Sequence, residues 1–171
     1  KRVADSIAAG LIWPSMQYEV AENCMTCHGL AHPDLKADDL AKMLGAGHPI
    51  NPGFELAKYS QGSVRHRHYP PDIKTNAEMT PQELAQVYVI GQAAALVSAN
   101  DVISKSTEAK YKEAQNKRVE NAKAALSGIA EAAGLLAAPT RENALKFAQS
   151  IAGKDLTSAV AGKLSAKADY K

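Results

Sequence analysis

The chain has only two cysteines, three positions apart, in Cys24-Met25-Thr26-Cys27-His28. No other feature constrains its fold as tightly. Two thiols this close cannot staple a fold of 171 residues. The C-x-x-C-H spacing instead suits covalent haem attachment. Each thiol adds across one haem vinyl group to form a thioether, and one helical turn spaces the two sulfurs for the two vinyls. The adjacent histidine then lies under the iron. The expected cofactor is one haem c held through Cys24 and Cys27, with His28 as the proximal metal ligand. Two other readings of the pair are less well supported. A thioredoxin-like redox pair calls for a strand before it and a long helix after it. A zinc site calls for four ligands, and His66 and His68, at i,i+2 spacing, are unusual partners for the cysteines.

Composition agrees with a helical, cofactor-filled core. Hydrophobic residues make up 46% of the chain but aromatic residues only 5%. A large buried aromatic cofactor would make up that shortfall. The apolar runs are short, and none approaches the roughly 20 residues of a membrane-spanning helix, so no transmembrane segment is expected. Residues 1–11 lack the apolar stretch of a secretory signal. Charge is uneven: residues 1–98 carry 8 Lys and Arg against 10 Asp and Glu, whereas residues 99–171 carry 12 against 8. The basic residues are interleaved with Glu and stacking aromatics are scarce, so no nucleic-acid partner is expected.

Residues 10–29, GLIWPSMQYEVAENCMTCHG, resemble the opening of a class I cytochrome c, in which a helix runs into the C-x-x-C-H-G turn. A second similarity follows at His68-Tyr69-Pro70-Pro71 and then over residues 79–92, MTPQELAQVYVIGQ. It resembles the family's distal-ligand loop and the helix after it, which crosses the first helix. The resemblance covers about residues 5–98. It implies an all-α domain wrapped round the haem, and electron transfer as the activity.

The local signals fit this outline. Residues 3–12 read as a helix interrupted by Pro14, and a helical turn carries the cysteines. Residues 33–44 read as a helix with Leu35, Leu40, Met43 and Leu44 apolar and Gly45 as its stop. Residues 47–53 form a loop by composition, and 54–59 a short helix. Residues 61–77 are expected to wrap the cofactor. Thr80 as N-cap, Pro81 at the first position and Glu83 as the capping-box partner open a helix expected to reach Ser98.

Residues 99–171 depart from class I cytochromes and contain no Cys, His or Met. They read as a helical extension, separable from a haem domain over residues 1–98. Val119, Ala122, Leu126, Ile129, Ala133 and Leu136 step by three and four, as in a coiled coil. Ala137-Ala138-Pro139-Thr140 breaks that helix. A second helix is expected over 141–152 and a third, weaker one over 155–167. The extension reads either as a hairpin packed on the haem domain or as a surface for a second copy or a partner subunit.

The distal ligand is the remaining chemical question. Met25 lies inside the attachment motif, and Met16 lies just upstream on the same side. Met43 suits core packing, His32 a surface turn, and His48 a loop position that could bond a haem propionate. Met79 precedes the N-cap Thr80, with Leu84 five residues on, which are the two positions of a hydrophobic staple. His68 precedes Tyr69-Pro70-Pro71 as the family's methionine precedes its proline. It is therefore the preferred ligand, with Met79 and His66 as alternatives. Arg65 and Arg67 are expected to pair with the propionates, and Tyr69 and Pro70 to line the haem. A bis-histidine iron moves single electrons between redox partner proteins and does little else. An open sixth site would point instead to gas sensing or a small haem enzyme. Because haem c is attached outside the cytoplasmic membrane, the resemblance implies a periplasmic or other extracytoplasmic location.

Overall fold

Thr80, Pro81 and Glu83 open the helical element round which the rest of the protein packs. The Thr80 hydroxyl accepts from the Glu83 backbone N–H, and the Glu83 carboxylate accepts from the Thr80 N–H at 2.7 Å. Two orphan donors of the first turn are thereby satisfied, and Pro81 places its missing N–H where no bond is lost. The computed structural model describes residues 2–13, 15–62 and 78–171. Among these residues all regular structure is helical: α1 (Arg2–Ala8), α2 (Gln17–His28), α3 (Ala37–Gly45), α4 (Leu56–Ser60), α5 (Pro81–Lys105), α6 (Ala109–Leu126), α7 (Ala133–Ala137) and α8 (Arg141–Ile151).

The central helix runs past the expected end at Ser98 to Lys105. No glycine or proline interrupts residues 93–105. It stops at Ser106, whose backbone is extended. There Asp38 of α3 accepts from the Ser106 hydroxyl, the Thr107 N–H and the Thr107 hydroxyl, at 2.9, 2.9 and 3.0 Å. The expected boundary at residue 98 thus falls inside α5, and residues from both sides of it share one core. Tyr18 and Met25 of α2 pack with Val89 and Leu96 of α5, Leu126 of α6, Phe147 and Ile151 of α8, and Leu156 and Val160 beyond it. Each large aliphatic side chain so buried contributes about 1.5–3 kcal/mol. A second cluster joins Leu30, Leu40, Val102 and Tyr111. Alanines 85, 93, 94, 95 and 99 of α5 are buried and let the neighbouring helices approach closely.

By length and composition α5 is apolar enough to cross a membrane, which the run-by-run reading of the sequence did not anticipate. Its most apolar window is 72% buried inside the protein.

The heptad stripe does not form one helix. The α6 helix ends at Leu126, and Gly128 turns the chain with φ of 84°. The Lys163 ammonium takes the freed Ala125 and Ser127 carbonyls at 2.8 and 3.0 Å. Ala122, Leu126 and Ile129 are buried, whereas Ala133 is exposed. The helix expected over 155–167 is replaced by turns, begun where Asp155 accepts from the Thr157 N–H at 2.9 Å. Leu156 and Val160 both reach the core from those turns. The chain end returns to the first half of the protein: the Lys171 N–H donates to the Lys58 carbonyl at 3.0 Å, and Lys167 pairs with Glu78 at 2.7 Å. Of the apolar residues expected on this helix Leu40 is buried, whereas Met43, expected to pack in the core, and Leu35 are exposed.

Candidate functional site

The last turns of α2 present two faces. Tyr18, Ala21 and Met25 point into the core, each at most 2% exposed. Cys24, Cys27 and His28, three and four apart, form a strip at the edge of that buried face, and Cys24 packs partly against the core. Cys24 is half-buried, while Cys27 and His28 are exposed. Both thiols are free, and burial pushes the Cys24 thiol pKa upward. The His28 ring stacks on Phe54 with centroids 4.2 Å apart and planes 7° apart. Tyr59 lies against Phe54 at 4.8 Å and near His28 at 6.2 Å. Asn51 holds this aromatic wall in place: its amide donates to the Tyr59 hydroxyl at 2.9 Å, and its side-chain oxygen accepts from the Gly53 N–H at 3.0 Å.

Immediately after His28 the helix closes in a Schellman turn. The Ala31 N–H reaches the Thr26 carbonyl at 3.1 Å and the Leu30 N–H reaches the Cys27 carbonyl at 3.0 Å. Leu30 takes the left-handed position, φ 48°, that glycine ordinarily fills. This conformation is costly for a leucine, and α6 holds it. The Tyr111 hydroxyl donates to the Leu30 carbonyl at 2.5 Å, and the Gln115 amide donates to the Gly29 carbonyl at 2.9 Å. Arg118 completes the clamp with donations to the Gly29 carbonyl at 3.1 Å, Gln115 Oε1 at 2.7 Å, Met25 Sδ at 3.2 Å and Ser98 Oγ at 3.0 Å. Its guanidinium lies where a side chain on Gly29 would be: a Cβ there would come 2.4 Å from Nη2. Glycine follows His28 for lack of room, not for backbone freedom, since its φ is an ordinary −94°.

Arg118 is 3% exposed, and burial pulls its pKa down to about 10. Burial likewise pushes the Tyr111 hydroxyl up to about 12. At neutral pH the cluster therefore holds a charged arginine and a neutral tyrosine.

Cys24, Cys27 and His28 are brought together on one helix face. Among the described residues no group of three or more His, Cys, Asp and Glu side chains converges to cage a metal ion. A haem needs no such cage, because the porphyrin supplies four of the iron's six ligands. The donor set fits it: two free thiols one turn apart, an imidazole beside them, and aromatic rings next to the imidazole. The expected distal residues His68 and His66, and Arg65, Arg67, Tyr69 and Pro70, lie outside the described residues. Met79 and Leu84 both pack half-buried against the core, in keeping with a staple. The Met79 N–H donates to Gln61 Oε1 at 3.0 Å. His48 Nδ1 lies 2.9 Å from the Pro49 carbonyl.

Tyr111, Gln115 and Arg118 were not singled out in the sequence. Their signal is there: steps of four and three carry the Ala122–Leu126 stripe back through Arg118 and Gln115 to Tyr111. Polar residues on a buried stripe call for buried acceptors, and the carbonyls at the end of α2 are those acceptors. No protein-family model, curated protein or solved structure matches the chain.

Proposed function

We propose that this chain is a monohaem c-type cytochrome with a class I cytochrome c-like haem domain, passing single electrons between redox partner proteins outside the cytoplasm. The observation that carries the reading is the placement of Cys24, Cys27 and His28 on one accessible face of α2, with both thiols free. When bound, haem c supplies a one-electron iron couple. Cys24 and Cys27 would hold it as thioethers, and His28 would supply an imidazole ligand to its iron. Phe54, stacked on the His28 ring, and Tyr59 beside it cover one side of the imidazole. Buried Met25 and the clamp on Gly29 and Leu30 fix the turn that carries these residues. His68 is the proposed distal ligand, with Met79 and His66 as alternatives. Arg65 and Arg67 are the proposed propionate partners, with Tyr69 and Pro70 beside the haem.

Acid denaturation followed by extraction with organic solvent tests the attachment. Haem is expected to stay with the polypeptide and to be lost in a Cys24→Ala, Cys27→Ala double variant. Haem that leaves the wild-type chain with the solvent overturns the reading. Carbon monoxide separates the activities: a ferrous protein that refuses it is an electron carrier, and one that binds it rapidly has an open iron suited to sensing or catalysis.

A further inference from the structure

We propose that Arg118 is a redox-positioning residue, a buried cation set by α6 against the haem-attachment turn that biases the attached haem toward its reduced state. The inference rests on the haem reading and goes beyond it, because it makes residues 99–171 part of the redox centre.

Arg118 is 3% exposed, and its two terminal nitrogens donate only to neutral acceptors: two oxygen atoms of side chains, one backbone carbonyl and one thioether. Among the described residues no carboxylate lies within ion-pair distance of it. Burial lowers its pKa only to about 10, so it stays charged at neutral pH. An arginine buried without a counter-ion is costly, and two features of its surroundings lower the cost. One is the negative end of the α2 dipole, at the last carbonyls of that helix. The other is the set of four hydrogen bonds. Neither adds a full negative charge, so the field of the cation is not cancelled.

That field acts where the chain carries its attachment residues. Met25, which Arg118 touches, lies between the two cysteines, and Gly29 directly follows His28. The charge itself sits in the poorly screened interior, one residue from His28 through the Gly29 carbonyl, so its field acts on a group bound to Cys24, Cys27 and His28 partly through protein, where Coulomb attraction is stronger than in water. The exposed lysines of α6 carry the same sign but are screened by solvent and salt.

Midpoint potentials of the full-length haem protein test this. Ser98→Asp would put a carboxylate where Ser98 Oγ now lies 3.0 Å from Arg118 Nη2, cancelling the charge without removing the arginine. Ser98→Asn keeps the site neutral. The reduction equilibrium should weaken about tenfold or more in Arg118→Met and in Ser98→Asp, a one-electron shift of about 59 mV to lower potential. Ser98→Asn and the surface variant Lys117→Met should stay near wild type, and Arg118→Lys should recover part of the loss. If Arg118→Met does not fold, the contrast between Ser98→Asp and Ser98→Asn decides alone. Retained haem with unchanged potentials in Arg118→Met or Ser98→Asp overturns this inference and leaves the haem reading intact. A shift of equal size in Ser98→Asn overturns it too, because the effect would then be structural. A wild-type chain without covalent haem overturns the haem reading, and this inference with it.

Discussion

The Arg118 guanidinium fills the space that a side chain on Gly29 would occupy, and its Nη1 donates to the Gly29 carbonyl at 3.1 Å. The contact spans 89 positions of sequence. It joins the turn after the cysteine pair to a helix that the sequence assigned to a separate extension.

Gly29→Ala is expected to destabilise the protein by about 1–3 kcal/mol, the usual cost of forcing a methyl group into filled space. The new Cβ would lie 2.4 Å from Arg118 Nη2 and 2.6 Å from the Met25 carbonyl oxygen, so either the arginine or the turn must move. Urea unfolding of the two proteins measures this. Equal midpoints would mean that Arg118 withdraws freely and that the clamp is loose.

A chain ending at Asn100 is expected to lose cooperative unfolding. It would lack the last five residues of α5 and the whole of α6, and with them Tyr111, Gln115 and Arg118. It would also expose the α2 face that carries Tyr18 and Met25, which packs with Leu126 and Phe147. Near-ultraviolet circular dichroism and thermal unfolding report the outcome. A sharp transition in the shortened chain would restore residues 1–98 as an independent domain.

Asp38 makes stability depend on acid. Hydrogen bonds from Thr107 and Ser106 favour its ionised form and hold its pKa below the ordinary value of 3.8. A carboxylate with a lowered folded-state pKa stabilises the protein above its unfolded value, and the contribution fades as pH falls through the folded value. Wild type should therefore lose stability relative to Asp38→Asn as pH drops from about 5 towards 2. Denaturant midpoints across that range give the difference. Parallel curves would remove Asp38 as the link between α3 and the turn into α6.

Much of the local structure was legible before any coordinates. Thr80, Pro81 and Glu83 announced the start of α5 because a capping box is a contact within four residues. Thr140, read only as part of a break, caps α8 in the same local way, accepting from the Asn143 N–H at 3.2 Å. Cys24, Cys27 and His28 shared a face because helical spacing alone requires it. Failures came where distant residues compete. Residues 93–105 lacked a local stop, so α5 ran on until Asp38 held Ser106 and Thr107. The stripe from Val119 to Leu136 was apolar at every heptad position, yet Gly128 and Lys163 ended the helix within it. Residues 155–167 had the composition of a helix, but burying Leu156 and Val160 favoured turns.

The sequence by itself determined the all-helical class and the shared helix face of Cys24, Cys27 and His28, since periodicity and capping act over a turn or two of one helix. Only the tertiary structure decided that α6 reaches back to Gly29 and Leu30. That choice depends on which buried donors find the carbonyls left open at the end of α2. No pattern of a few residues encodes a pairing between positions 29 and 118, because it exists only once both helices have packed on α5.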